Sequence, residues 1–122
     1  MSQKTAAEFT VNLLHSATVT HLMHLQTKSY SQHVALGDYY DGIVELVDSL
    51  VEAYQGSHGV IEEYPDPHGI YKDPLPYLDN LCNYVEEKRK SLPDDTMLQN
   101  IVDEIVQLLD TTIYKLKRFT EA

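Results

Sequence analysis

The chain has no tryptophan, one cysteine, and nine lysines and arginines against nineteen acids. The lone Cys82 has no partner for an internal disulfide, which points to a reducing, intracellular compartment. A net charge of −10 leaves few cations for phosphate, so neither nucleic acid nor an anionic membrane is expected as a partner. No apolar run approaches the roughly twenty residues that cross a bilayer. Met-Ser-Gln-Lys-Thr is not followed by an uninterrupted apolar stretch, so no signal peptide is expected and the cytoplasm is the expected location. Glycine and proline are scarce too, five of each, and seven of the ten fall between Gly56 and Pro76. Gly56, Gly59, Pro65, Pro67, Gly69, Pro74 and Pro76 exclude a regular helix through that stretch.

What remains is helical periodicity, with no useful strand alternation and no internal repeat. One domain is expected over residues 1–122, all-α, with helices at about 5–29, 31–55, 75–90 and 96–120. In the first, Leu14, Ala17, His21 and Leu25 follow helical spacing. In the second, Leu36, Tyr40, Ile43, Val47, Leu50, Val51 and Tyr54 share a face, and Gly56 reads as the stop just past it. Asp73 reads as the cap of the third helix, whose core face carries Leu75, Leu78, Leu81, Cys82 and Val85. Asp94-Asp95 opens the fourth, with Leu98, Val102, Ile105, Leu109, Thr112, Leu116 and Phe119 on one stripe. The crossover, 56–74, could extend roughly 60 Å, about twice the length of a twenty-residue helix. That is enough to return along a bundle and start the third helix at the opposite end; a long functional loop is the other reading.

Four side chains stand out against this background. His21, His33, Asp48 and Glu52 combine two imidazoles with two carboxylates, a ligand set for iron, manganese or zinc. Asp48 and Glu52 lie one turn apart on one helical face. His24 follows His21 by one turn and is a candidate extra or supporting ligand, as is Asp41 on the same border. The plain alternative is two core histidines beside the solvated acidic flank of a helix. His58 and His68, near Glu62, Glu63 and Asp66, have no ligand spacing and read as polar loop. Cys82 reads as a small hydrophobe. No Ser-His-Asp arrangement, phosphate-cradling glycine loop or Cys-x-x-Cys pair is present.

The stretch from His21 to Gly56 resembles the first two helices of the miniferritins, the DNA-protection-during-starvation proteins. His-Leu-Met-His-Leu-Gln, His-Val-Ala-Leu-Gly and Val-Asp-Ser-Leu-Val-Glu-Ala-Tyr-Gln-Gly carry the likeness. It implies a ferritin-like four-helix bundle and an iron site between two subunits. His21 and His33 would come from one chain, Asp48 and Glu52 from its mate. Ferroxidase chemistry, from ferrous to ferric iron with oxygen or peroxide, and protection from oxidative stress would follow. Leu22 stands where the family usually has tryptophan, and only Lys4 precedes the first helix, so the family's DNA binding is not carried over. The expected assembly is a homodimer, with the family's larger cage left open; Leu22, Leu36, Tyr40 and Val44 are expected to line its interface. The chain is also similar to small ferritin-like proteins of tailed phages, which would place it in a host cytoplasm without an established activity. The competing functional reading is a structural or interaction module that keeps the bundle without metal chemistry.

Overall fold

Ser29 decides where the first two helices part. Its backbone is extended (φ −95°, ψ 121°), and its hydroxyl accepts the amide of Gln32 at 3.2 Å, an N-cap. The structure, a computed structural model, describes residues 3–119 and has four helices and no strand among them. They are α1 (Gln3–Gln26), α2 (Tyr30–His58), α3 (Pro74–Lys88) and α4 (Thr96–Arg118), with a 3₁₀ turn, Arg89–Ser91, after α3.

The ends differ from the periodicity in instructive ways. α1 stops at Gln26 rather than near Ser29, because the Ser29 cap needs Thr27 and Lys28 for the reversal. α2 runs through Gly56 and ends at Gly59, whose φ of +95° and ψ of 161° suit glycine and almost nothing else. A glycine inside a helix only weakens it; one with a positive φ ends it. Asp73 and Asp95 precede α3 and α4 without a side-chain capping bond. Asp95 instead takes the ring of His58 at 3.2 Å. The expected end of α4 at Thr120 lies outside the described residues.

α2 packs against both α1 and α4, and α3 against α4 and α1. Directions follow from the ends. His58, closing α2, meets Asp95 before α4, while Lys115 late in α4 reaches Asp38 early in α2 at 3.7 Å. α2 and α4 are therefore antiparallel. Along α3, Tyr77 and Asn80 share a groove with His15 and Asn12, whereas Tyr84, further on, faces Phe9. α3 thus descends beside the ascending α1. The connection climbs α1: Gln3 Nε2 donates to the Val60 carbonyl at 2.8 Å, and His15 Nε2 to the Gly69 carbonyl at 2.7 Å. Ile61 anchors it, buried, with its amide on Gln55 Oε1 at 3.0 Å.

Phe9, Leu13, Leu36, Tyr39, Ile43, Leu78, Ile105 and Leu109 are almost wholly buried where the helices meet. Each contributes about 1.5–3 kcal/mol of apolar transfer free energy, the main term opposing chain entropy. Leu36 belongs to this core with no exposure, so it cannot line a dimer interface. Leu25 and Phe119, on the apolar stripes, are exposed instead, as is Leu22 of the expected interface. Cys82 lies at the core's edge, its thiol donating to Asp110 Oδ1 at 3.5 Å.

Candidate metal centre

The α1–α2 turn gathers histidines. His24 sits in the last turn of α1, where carbonyls run out of helical donors. His33 Nδ1 donates to the His24 carbonyl at 2.7 Å, and His24 Nδ1 donates to the His33 carbonyl at 2.6 Å. The two rings stack, centres 3.6 Å apart and 16° from parallel. With its proton on Nδ1, a neutral ring in either place would keep its lone pair on Nε2, the tautomer that metal-ligating histidines adopt when a carbonyl orients them. Gly37 admits this arrangement: a Cβ there would come within 3.2 Å of His24 Cε1.

His21 is exposed, not at the centre of an apolar arc. Its ring stacks on Tyr40 at 4.2 Å and meets the ring of His24 edge-on, 5.9 Å away at 67°. His24 therefore contacts both His21 and His33. Beside His21 runs an open groove of about 400 Å³, bordered by Thr18, Tyr40, Asp41, Val44 and Glu45.

Asp41, Asp48 and Glu52 are exposed on the outer side of α2. No Lys or Arg occurs between Lys28 and Lys72, so α2 carries no cation of its own to neutralise them. Fifteen residues separate His33 from Asp48, roughly 22 Å along the helix axis. One chain therefore brings the histidines together at one end of α2 and leaves Asp48 and Glu52 at the other. Among the described residues, no three His, Cys, Asp or Glu side chains of a chain group to hold a metal ion.

Sequence reading missed the reciprocal bonds of His24 and His33. Their nine-residue separation across a turn carries no helical period, and only the position of the Ser29 cap sets the register that makes them meet. It also missed a groove of about 540 Å³ on the other flank of α1, between α3 and the connection. There Tyr71 stacks on Tyr77 at 4.8 Å, and burial raises the Tyr77 phenol well above its ordinary range. No helix among the described residues is long and apolar enough to cross a membrane.

No curated protein and no solved structure matches the chain. One family does match, over residues 24–116, a span that begins at His24 and takes in α2, the connection, α3 and most of α4. The chain belongs to that family, the family of unknown function DUF5856.

Proposed function

We propose that the protein is a miniferritin-like iron-binding protein whose sites form between two copies of the chain. His21 and His33 of one copy and Asp48 and Glu52 of the other would hold the metal. The observation that carries this reading is the separation within one chain, where the histidines gather at the start of α2 and Asp48 and Glu52 lie exposed roughly 22 Å further along it. A two-fold axis near the middle of the α1–α2 face sets the histidines of each copy against Asp48 and Glu52 of the other and makes two equivalent sites. The donor set fits iron in kind, with two neutral nitrogens and two anionic oxygens, and manganese or zinc as alternatives. The helix order α1-α2-α4-α3 and the connection climbing α1 also suit a ferritin-like bundle.

In this reading each group has a definite task. The His24 carbonyl orients His33, Tyr40 limits the swing of His21, and Asp48 and Glu52 balance the cation's charge. Bound there, ferrous iron would supply the electrons that reduce oxygen or peroxide. Val44, exposed and bordering the groove beside His21, would help keep water from the closed site.

The test uses untagged protein loaded anaerobically with ferrous iron and compared with a His33→Ala/Asp48→Ala double variant. The expected result is loss of bound iron and of oxygen-dependent oxidation in the variant. Equal iron content and equal oxidation rates in the two proteins sink the reading. One observation favours a second reading, a bundle that serves as a structural or interaction module. The histidine interlock closes the α1–α2 turn without any metal, so its geometry is also that of a structural clasp.

A further inference from the structure

We infer that His21 and His24 form, on each chain alone, a two-imidazole site for a late first-row divalent cation such as zinc or copper, with His33 as its positioning residue. The inference does not rest on the shared iron site, since it needs neither a second copy nor Asp48 and Glu52.

Ring geometry separates the three histidines into roles. Two imidazoles that share one zinc ion at ordinary bond lengths have ring centres roughly 5–6 Å apart and planes that diverge from the ion. His24 and His33, stacked at 3.6 Å and 16°, are too close and too nearly parallel to share an ion through their nitrogens. His21 and His24, at 5.9 Å and 67°, fall within that spacing and are far from parallel. They lie one helical turn apart, on the same side of α1.

The surroundings prepare the pair. The Nδ1–H of His24 is committed to the His33 carbonyl, so Nε2 is the free ligand atom, and the stacked His33 ring stops His24 from turning away. Gly37 leaves room for the His24 ring against α2. His21 is held on one face by Tyr40 and is open to solvent. Asp41 and Glu45 border the groove beside His21, so an approaching cation meets negative potential. Two protein nitrogens with the remaining positions left to water suit zinc, copper or nickel better than the hard oxygen-seeking ions.

The test titrates untagged full-length protein with zinc chloride, then copper sulfate, by calorimetry, and follows the histidine ring signals by NMR. The expected result is one ion per chain at micromolar affinity, with copper broadening the ring protons of His21 and His24 first. His21→Ala changes an exposed side chain and leaves the fold intact; it should weaken zinc binding at least tenfold. His33→Ala should weaken it severalfold by freeing His24, whereas Asp48→Asn/Glu52→Gln should leave it unchanged. Equal affinity of wild type and His21→Ala overturns the proposal, as does absence of micromolar binding. Loss of zinc in Asp48→Asn/Glu52→Gln also overturns it, by assigning the ion to the shared site. Iron binding that fails in the separate test above, with zinc retained here, removes the shared site and keeps this one.

Discussion

Ser16 has one hydroxyl proton and gives it to the Leu13 carbonyl at 2.6 Å, so the Tyr39 hydroxyl, 2.7 Å away, must donate to Ser16. Both residues are fully buried, which makes the two deletions unequal. Tyr39→Phe removes a donor and leaves Ser16 bonded, and should cost about 1 kcal/mol. Ser16→Ala strands the phenol without an acceptor and should cost more, about 2 kcal/mol, while the double variant should cost less than the sum. Urea unfolding of the four proteins checks this, and strict additivity would refute the pair's coupling. Burial also raises the Tyr39 phenol far above its ordinary value, because the interior disfavours the phenolate. A raised phenol stabilises the fold fully below the unfolded value of about 10, and that contribution fades as pH rises from there. Thermal melts should therefore lose stability above about pH 10, and less steeply in Tyr39→Phe. Cys82 follows the same logic at the core's edge, where burial, then Asp110, Glu86 and Asp79, push its thiol up to about 11. At pH 8 less of it is thiolate, so Cys82 should react with iodoacetamide about tenfold more slowly than an ordinary cysteine, the greater nucleophilicity of each thiolate offsetting part of the loss. A rate equal to that of free cysteine would contradict the burial.

Within elements, two glycines near the end of α2 separate what periodicity can read from what it cannot. Gly56 lies inside the helix with nothing within 4 Å of an added Cβ, so Gly56→Ala should stabilise the protein by about 0.5–1 kcal/mol. Gly59 has equal space but a φ of +95°, so Gly59→Ala should destabilise by about 1–3 kcal/mol. Opposite shifts of melting temperature are expected; shifts of the same sign would contradict the assigned helix end. Both residues look like helix stops in the sequence, and only the backbone angle tells them apart. The helical stripes themselves were legible, as Ile43, Val47, Leu50 and Tyr54 on α2 and Leu98, Val102, Ile105 and Leu109 on α4 are all buried. Apolar spacing said less about α1, where Leu14 and Leu25 follow the period yet stand exposed. There the buried positions are Phe9, Leu13, Ser16, Val19, Thr20 and Met23, and His24, which hydropathy does not count as core, bonds to α2. The candidate site shows the same division. Its residue types were readable as ligands, but the bonds that fix His24 and His33 depend on a turn register that no local period encodes.

At the scale of the whole molecule, the α1–α2 face is the surface that the proposed dimer would use. Leu14, Leu22, Leu25, Tyr30, Val34 and Val44 are exposed on these two helices, beside a row of carboxylates that has no cation on the same helix. Exposed apolar side chains grouped in this way mark a contact surface in soluble proteins. In the proposed dimer the histidines of one chain would meet Asp48 and Glu52 of the other only when the two run antiparallel across a two-fold axis, with the metal supplying the charge that balances the carboxylates. The expected state at micromolar concentration is therefore a dimer of twice the chain mass by light scattering. Leu22→Lys/Val44→Glu alters only side chains that are already exposed, so its far-UV circular dichroism should match the wild type while its mass falls to that of one chain. Metal held between subunits would bind the dimer alone, so iron should shift association toward it by mass action. The same variant should lose that iron effect yet keep zinc at His21 and His24, which a single chain supplies. A wild-type protein that stays monomeric with and without iron would remove the interface and the shared site together. The clasp at the α1–α2 turn and its two-imidazole site would then be the chemistry the fold retains.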